Sequence, residues 1–149
     1  MPVKPIPEGY RSVTPHLTVK NAAGLIDFTR RVFGAREVMR MAGPDGSVMH
    51  AEVTIGDSVA MIGEPMGPHG AMPANLYVYV DDVDATYQRA LDAGAESMMA
   101  PADQFYGDRT GAVRDAWGNW WVMATHVEDV APEEMERRGR EIMQRARTA

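Results

Sequence analysis

The segment LTVKNAAGLIDFTRRVFGAREVM, Leu17–Met39, is echoed by VYVDDVDATYQRALDAGAESMM, Val78–Met99. Each copy opens on an alternating strand and places Asn or Asp where a helix N-cap belongs, at Asn21 and at Asp81 or Asp82. Each continues through an amphipathic stretch and closes on Gly-Ala, at Gly34-Ala35 and Gly94-Ala95. In the first helix Ala22, Leu25, Ile26, Thr29, Val32 and Phe33 fall on one stripe; in the second Val83, Tyr87, Ala90 and Leu91 do. Glycine supplies the left-handed residue that ends a helix without a Cβ clash. The chain is therefore a tandem duplication.

Strand-like runs follow each helix, over 36–42, 47–55 and 58–64 and then over 96–101, 109–115 and 119–126. The turns GPDGS, IGDS and WGN separate them. The expected fold is α+β: two tandem β-α-β-β-β modules, about 12–64 and 74–126, forming a curled mixed sheet around a cleft within one domain over 1–149. A C-terminal helix is expected over about 132–147, with Pro132 at its first position and Glu133 and Glu134 in its first turn. Glu133–Arg137, Glu134–Arg138, Glu136–Arg140 and Glu141–Arg145 stand at i,i+4 in the favourable order, and Met135, Ile142, Met143 and Ala146 form a narrow apolar seam.

Bulk composition narrows the function classes. With 149 residues, 45% of them hydrophobic, the chain is long enough to bury a core. Its net charge of −6, with basic residues clustered only in the last helix, lacks the footprint of a nucleic-acid partner. The absence of cysteine excludes thiol catalysis and thiolate metal sites and points to a cytoplasmic setting. No apolar run has the length of a signal peptide or membrane span. Twelve methionines suit a core or pocket that adapts its shape.

Strand alternation divides the faces. Leu17, Val19, Leu76, Val78 and Val80 belong under the helices, leaving Thr14, His16, Thr18, Asn75, Tyr77 and Tyr79 on the other side. In the third strand Met49, Ala51, Val53 and Ile55 are expected to face helices, opposite His50, Glu52 and Thr54. Trp120 and Trp121 must point to opposite sides, one under a helix and one into the cleft or a subunit seam.

The segments VMHAEVTIGDSVAMIGE, ADQFYGDRTGAVRDAWGNWW and ATHVEDVAPEEM resemble the PhnB-like subgroup of the vicinal oxygen chelate superfamily, which includes glyoxalase I, bleomycin-resistance proteins and extradiol dioxygenases. The likeness runs from about Ser12 to Met135. It implies two modules around a shared cleft, often completed by a homodimer. In metal-dependent members four ligands come from the first and last strands of each module. Those positions fall on Thr14 or its same-face neighbour His16, on Met61 or Ala60, on Asn75 and on Val122. Hard divalent cations require carboxylate, imidazole or water donors, so the family's usual metal site is expected to be absent and no cofactor is assigned.

The candidate catalytic residues are His50 and Glu52, two apart on one strand face and close enough to share a proton. His16, His50, Met61, Asn75, Tyr77, Gln104, Tyr106, Arg109 and Trp121 are the expected ligand-binding residues. Of these, Gln104, Tyr106 and Arg109 lie in DQFYGDR, whose mixture around one glycine suits a ligand-covering loop, with Arg109 as an anion clamp. His126 is expected to anchor the terminal helix, and His69 to be solvated. No Ser-His-Asp spacing, phosphate loop or dinucleotide fingerprint occurs. Two functions compete: capture of a small hydrophobic or aromatic molecule in a metal-free cleft, and a glyoxalase-type lyase or isomerase reaction through His50 and Glu52.

Overall fold

The computed structural model describes residues 2–149. The duplicated segments fold as β1 (His16–Thr18), α1 (Ala22–Phe33), β2 (Arg36–Ala42), β3 (Val48–Ile55) and β4 (Ser58–Gly63), then β5 (Asn75–Tyr79), α2 (Val83–Asp92), β6 (Glu96–Asp103), β7 (Asp108–Arg114) and β8 (Trp120–His126). A last helix, α3 (Pro132–Thr148), follows. Each module makes a four-stranded mixed sheet, ordered β1-β4-β3-β2 in the first and β5-β8-β7-β6 in the second. The first strand of each pairs parallel with the last, and the remaining pairs are antiparallel.

The caps are those that the residues require. Asn21 Oδ1 accepts from Gly24 N–H at 3.3 Å to start α1, and Asp82 Oδ1 accepts from Ala85 N–H at 3.1 Å to start α2. Gly34 takes φ 66° and returns its N–H to the Arg30 carbonyl. Helices α1 and α2 pack together, each against its own sheet, and one core spans both modules through Leu25, Ile26, Val32, Ile62, Val83, Trp121 and Met123. The Trp121 ring stands 5.1 Å from Phe33 and 6.3 Å from Phe28, tying the second sheet to α1. Complete burial of an indole is worth roughly 4–6 kcal/mol by area. The sheet faces turned away from this helix layer carry the polar side chains.

Two local expectations are corrected. The first strand begins at His16, and Val13 is 85% exposed, because Pro15 has no N–H to give the ladder and only its carbonyl accepts, from Met61 at 2.8 Å. In β3, Ala51 and Val53 are buried as expected, but Met49 points outward and Val48 takes the buried position. The cause is a bulge: Met41 pairs with His50 and Ala42 with Val48, so Met49 is one residue too many and reverses the alternation.

In α3 the Glu134–Arg138 and Glu136–Arg140 pairs form at 2.9 and 3.6 Å, while Arg137 bonds Glu134 and Glu141 instead of Glu133. Arg138 also reaches the Phe105 carbonyl and Glu128, which fixes the helix to the loop before β7. Ile142 and Met143 of the apolar seam remain exposed.

Candidate functional site

On the first sheet, register brings His16 beside Met61 and Met61 beside Glu52, so three strands present these side chains in one row. The His16 and His50 rings lie 5.9 Å apart, and His50 Nε2 is 3.2 Å from Glu52 Oε1. The N-terminal arm crosses this face, where the Tyr10 hydroxyl donates to Glu52. The Tyr10 hydrogen bond, followed by that of His50, holds the Glu52 carboxyl below its ordinary range despite partial burial. A carboxylate beside an imidazole is an arrangement that can orient the ring and exchange a proton with it.

The second sheet carries a different cluster. Asp108, 3% exposed, accepts from the Tyr77 and Tyr79 hydroxyls at 2.7 and 2.9 Å on one oxygen and pairs with His126 Nδ1 at 2.8 Å on the other. His126 Nε2 reaches Asp129 at 2.8 Å. Burial pushes the Asp108 carboxyl upward, but the hydrogen bonds from His126, Tyr77 and Tyr79 outweigh it and the net shift is downward. The same bond to Asp108, then that to Asp129, raises the His126 imidazole above its ordinary value. Burial, then the bonds to Tyr106 and Asp108, keeps the Tyr77 phenol protonated. Asp108 is absent from the candidate residues named from the sequence. The signal for it was strand parity: Asp108 is paired in register with His126 across β7 and β8, on the same outward side as the two tyrosines of β5.

The expected ligand residues fall into these two clusters and a remainder. His16, His50, Glu52 and Met61 share the first sheet; Tyr77 meets Tyr106, hydroxyl to hydroxyl at 3.5 Å, on the second. Asn75 is exposed at the start of β5 beside Trp120. Gln104 is half-buried and turns its amide back toward the Ala102 carbonyl. Arg109 is not a free clamp: Asp84 holds it through two bonds at 2.8 and 2.9 Å and Asp103 through a third at 3.2 Å. Trp121 is fully buried in the core with its indole N–H on Asp115, and Trp120 is the tryptophan with an exposed ring. An apolar hollow of about 240 Å³ lies at the seam of the modules, bordered by Pro15, Ala60, Leu76 and Val78.

The family's metal positions offer no hard-cation shell. Thr14 spends its hydroxyl on the Arg11 carbonyl and its alternative His16 offers a single imidazole; Met61 has a thioether and its alternative Ala60 no donor, Asn75 an amide, and Val122 no donor at all. Among the described residues no three His, Cys, Asp or Glu side chains are placed to hold a metal ion. These residues do not fit the divalent cation of the metal-dependent members.

Two tandem β-α-β-β-β modules are the architecture that the resemblance implied, and residues 11–123 match the family described as the Glyoxalase/Bleomycin resistance protein/Dioxygenase superfamily. The chain belongs to this superfamily. An uncharacterized protein of Mycobacterium bovis is 38% identical over 136 residues, covering 84% of this chain and 90% of that one. A Mycobacterium tuberculosis relative has the same identity and covers 84% of this chain and 80% of its own length. Among solved structures, TioX from Micromonospora sp. ML1 superposes with a TM-score of 0.68 at 27% identity, over 78% of this chain and 99% of that one. A PhnB protein from Bacillus cereus superposes with a TM-score of 0.63 at 19% identity, over 77% and 99%, and shares the glyoxalase-superfamily fold. No helix among the described residues is long and apolar enough to cross a membrane.

Proposed function

We propose that this glyoxalase-superfamily protein captures a small hydrophobic or aromatic molecule, without a hard metal, in a cleft completed by a second copy of the chain in the cytoplasm. One observation carries the reading: the positions that the resemblance assigns to metal ligands, Thr14 or His16, Met61 or Ala60, Asn75 and Val122, hold no carboxylate, while the outward faces keep exposed aromatic rings at Tyr77, Tyr79 and Trp120. Binding by burial needs apolar walls and few polar anchors, and the Asp108–Tyr77–Tyr79 cluster supplies such anchors. Such exposed rings also suit the seam of a homodimer. Calorimetry with a panel of planar aromatic compounds should give a response that is lost in Tyr77→Ala/Tyr79→Ala, and light scattering should give twice the chain mass. Silence across the panel, or a stoichiometric divalent metal in protein purified without chelator, would overturn the capture reading; a monomeric mass would overturn the shared cleft.

The His50–Glu52 contact at 3.2 Å favours a second reading, a lyase or isomerase of the glyoxalase type that moves a proton between imidazole and carboxylate. Turnover of methylglyoxal–thiol adducts that disappears in His50→Ala would support it over capture.

A further inference from the structure

The bulge at Met49 has a chemical consequence. In a regular strand Met49 and His50 would point to opposite faces, but the extra residue turns Met49 to the side of His50, and both line one hollow of about 420 Å³. Gly63 makes this possible, since the Met49 carbonyl lies 2.6 Å from where a Cβ would stand. The Met41–His50 register adds a second thioether from β2. The linker after β4 adds two more: Met72 is bridged to Thr18 through a backbone bond of 2.9 Å, and Met66 lies on the same rim. Three imidazoles complete the lining, His16, His50 and His69. Four of the chain's twelve methionines and three of its four histidines therefore surround one hollow, with Glu64 and without a lysine or arginine.

We propose that this hollow is a binding site for a soft monovalent cation, copper(I) or its analogue silver(I). It shares no residue except His16 with the positions that the resemblance assigns to the divalent site, and does not depend on the capture reading. Thioethers are soft donors that select cuprous ions over hard divalent ones, and imidazole serves copper equally well. Metal–imidazole bonds of about 2 Å bring two rings on one ion to centres roughly 5–6 Å apart, and His16 and His50 stand at 5.9 Å. Among the described residues no trio of His, Cys, Asp or Glu converges, which disfavours zinc, since zinc requires such a set, and leaves a site of two imidazoles with thioethers. All four sulfur side chains are between 39% and 70% exposed, so an ion can enter without unfolding the sheet. The Glu64 carboxylate, held by the Val48 N–H at 3.0 Å, adds a negative charge at the rim.

The test is titration of the intact chain with silver nitrate, and anaerobically with copper(I) against a chromogenic chelator. The expected result is one equivalent bound, with perturbed ε-methyl NMR signals confined to Met41, Met49, Met66 and Met72. Loss of outer partners alone costs metal sites roughly 10–100-fold in affinity, so the four Met→Leu replacements together should cost at least that. Leucine preserves volume and apolarity, and a Met98→Leu/Met99→Leu/Met143→Leu control should bind silver normally. If the fourfold variant fails to fold, the methyl signals of the native chain decide alone. Absence of stoichiometric silver and copper(I) binding, equal binding by the fourfold variant, or methyl shifts spread over all methionines would each overturn the proposal.

Discussion

His126 Nδ1 lies 2.8 Å from Asp108 Oδ1, while Asp129 stands 2.8 Å from its other nitrogen. An imidazole between two carboxylates is stabilised as the cation, so its folded pKa is raised above the ordinary 6.5. The stabilisation is fully present below the unfolded value and is lost as pH rises through the raised folded one. Asp108 runs the other way: its folded pKa lies below the model-peptide 3.8, so its contribution is present above that value and lost as pH falls through the depressed one. Denaturant midpoints measured against pH should therefore decline in the native chain as pH rises above 6.5 through the raised folded value. His126→Gln should flatten that decline, and an identical slope in the variant would show that the pair does not couple to folding.

Asp115 is the second buried carboxylate with a full set of partners. It accepts from the backbone N–H groups of Trp117 and Asn119, from the Asn119 amide and from the Trp121 indole, all at 2.8–2.9 Å. Asp115→Ala leaves those donors unsatisfied beneath α1, at about 3 kcal/mol or more, since bonds to a charged group are worth roughly 1.5–3 kcal/mol each and do not add. Urea unfolding followed by tryptophan fluorescence reports both the loss and the altered Trp121 environment. A midpoint within error of the native chain would contradict this account of the turn.

Gly107 adopts φ 101° and carries no Cβ because the Glu128 carbonyl occupies that place. Its own carbonyl accepts from Val127 and Glu128 at 2.9 and 3.0 Å, which fastens the segment leading to α3. Gly107→Ala combines left-handed strain of about 1–2 kcal/mol with a backbone clash. The expected outcome is a loss of about 2 kcal/mol or more and faster limited proteolysis between residues 127 and 131, read by mass spectrometry of the fragments.

Arg109→Ala separates the anion clamp expected from the sequence from the surface ion pairs that the structure shows. Its bonds to Asp84 and Asp103 are at the surface, where ion pairs contribute about 0–1 kcal/mol. Stability should fall by less than about 1 kcal/mol, and affinity for an aromatic ligand should be unchanged. A large loss of affinity with intact folding would restore the clamp.

The sequence alone determined the duplication, because helix periodicity, Asx caps and Gly stops are local properties that repeat in both halves. It also determined that two of the family's metal positions offer no hard donor, since Val122 and Met61 have the same donor chemistry in any fold. Parity placed His16, His50 and Glu52 on one face, but it fails wherever a residue is inserted in a ladder, as at Met49. Only tertiary structure decided which tryptophan is core, which carboxylates occupy Arg109, and that Asp108 is buried under the hydroxyls of Tyr77 and Tyr79 and the His126 ring. Those outcomes depend on pairings between residues far apart in the chain, set by register and packing competition, and no local pattern encodes them.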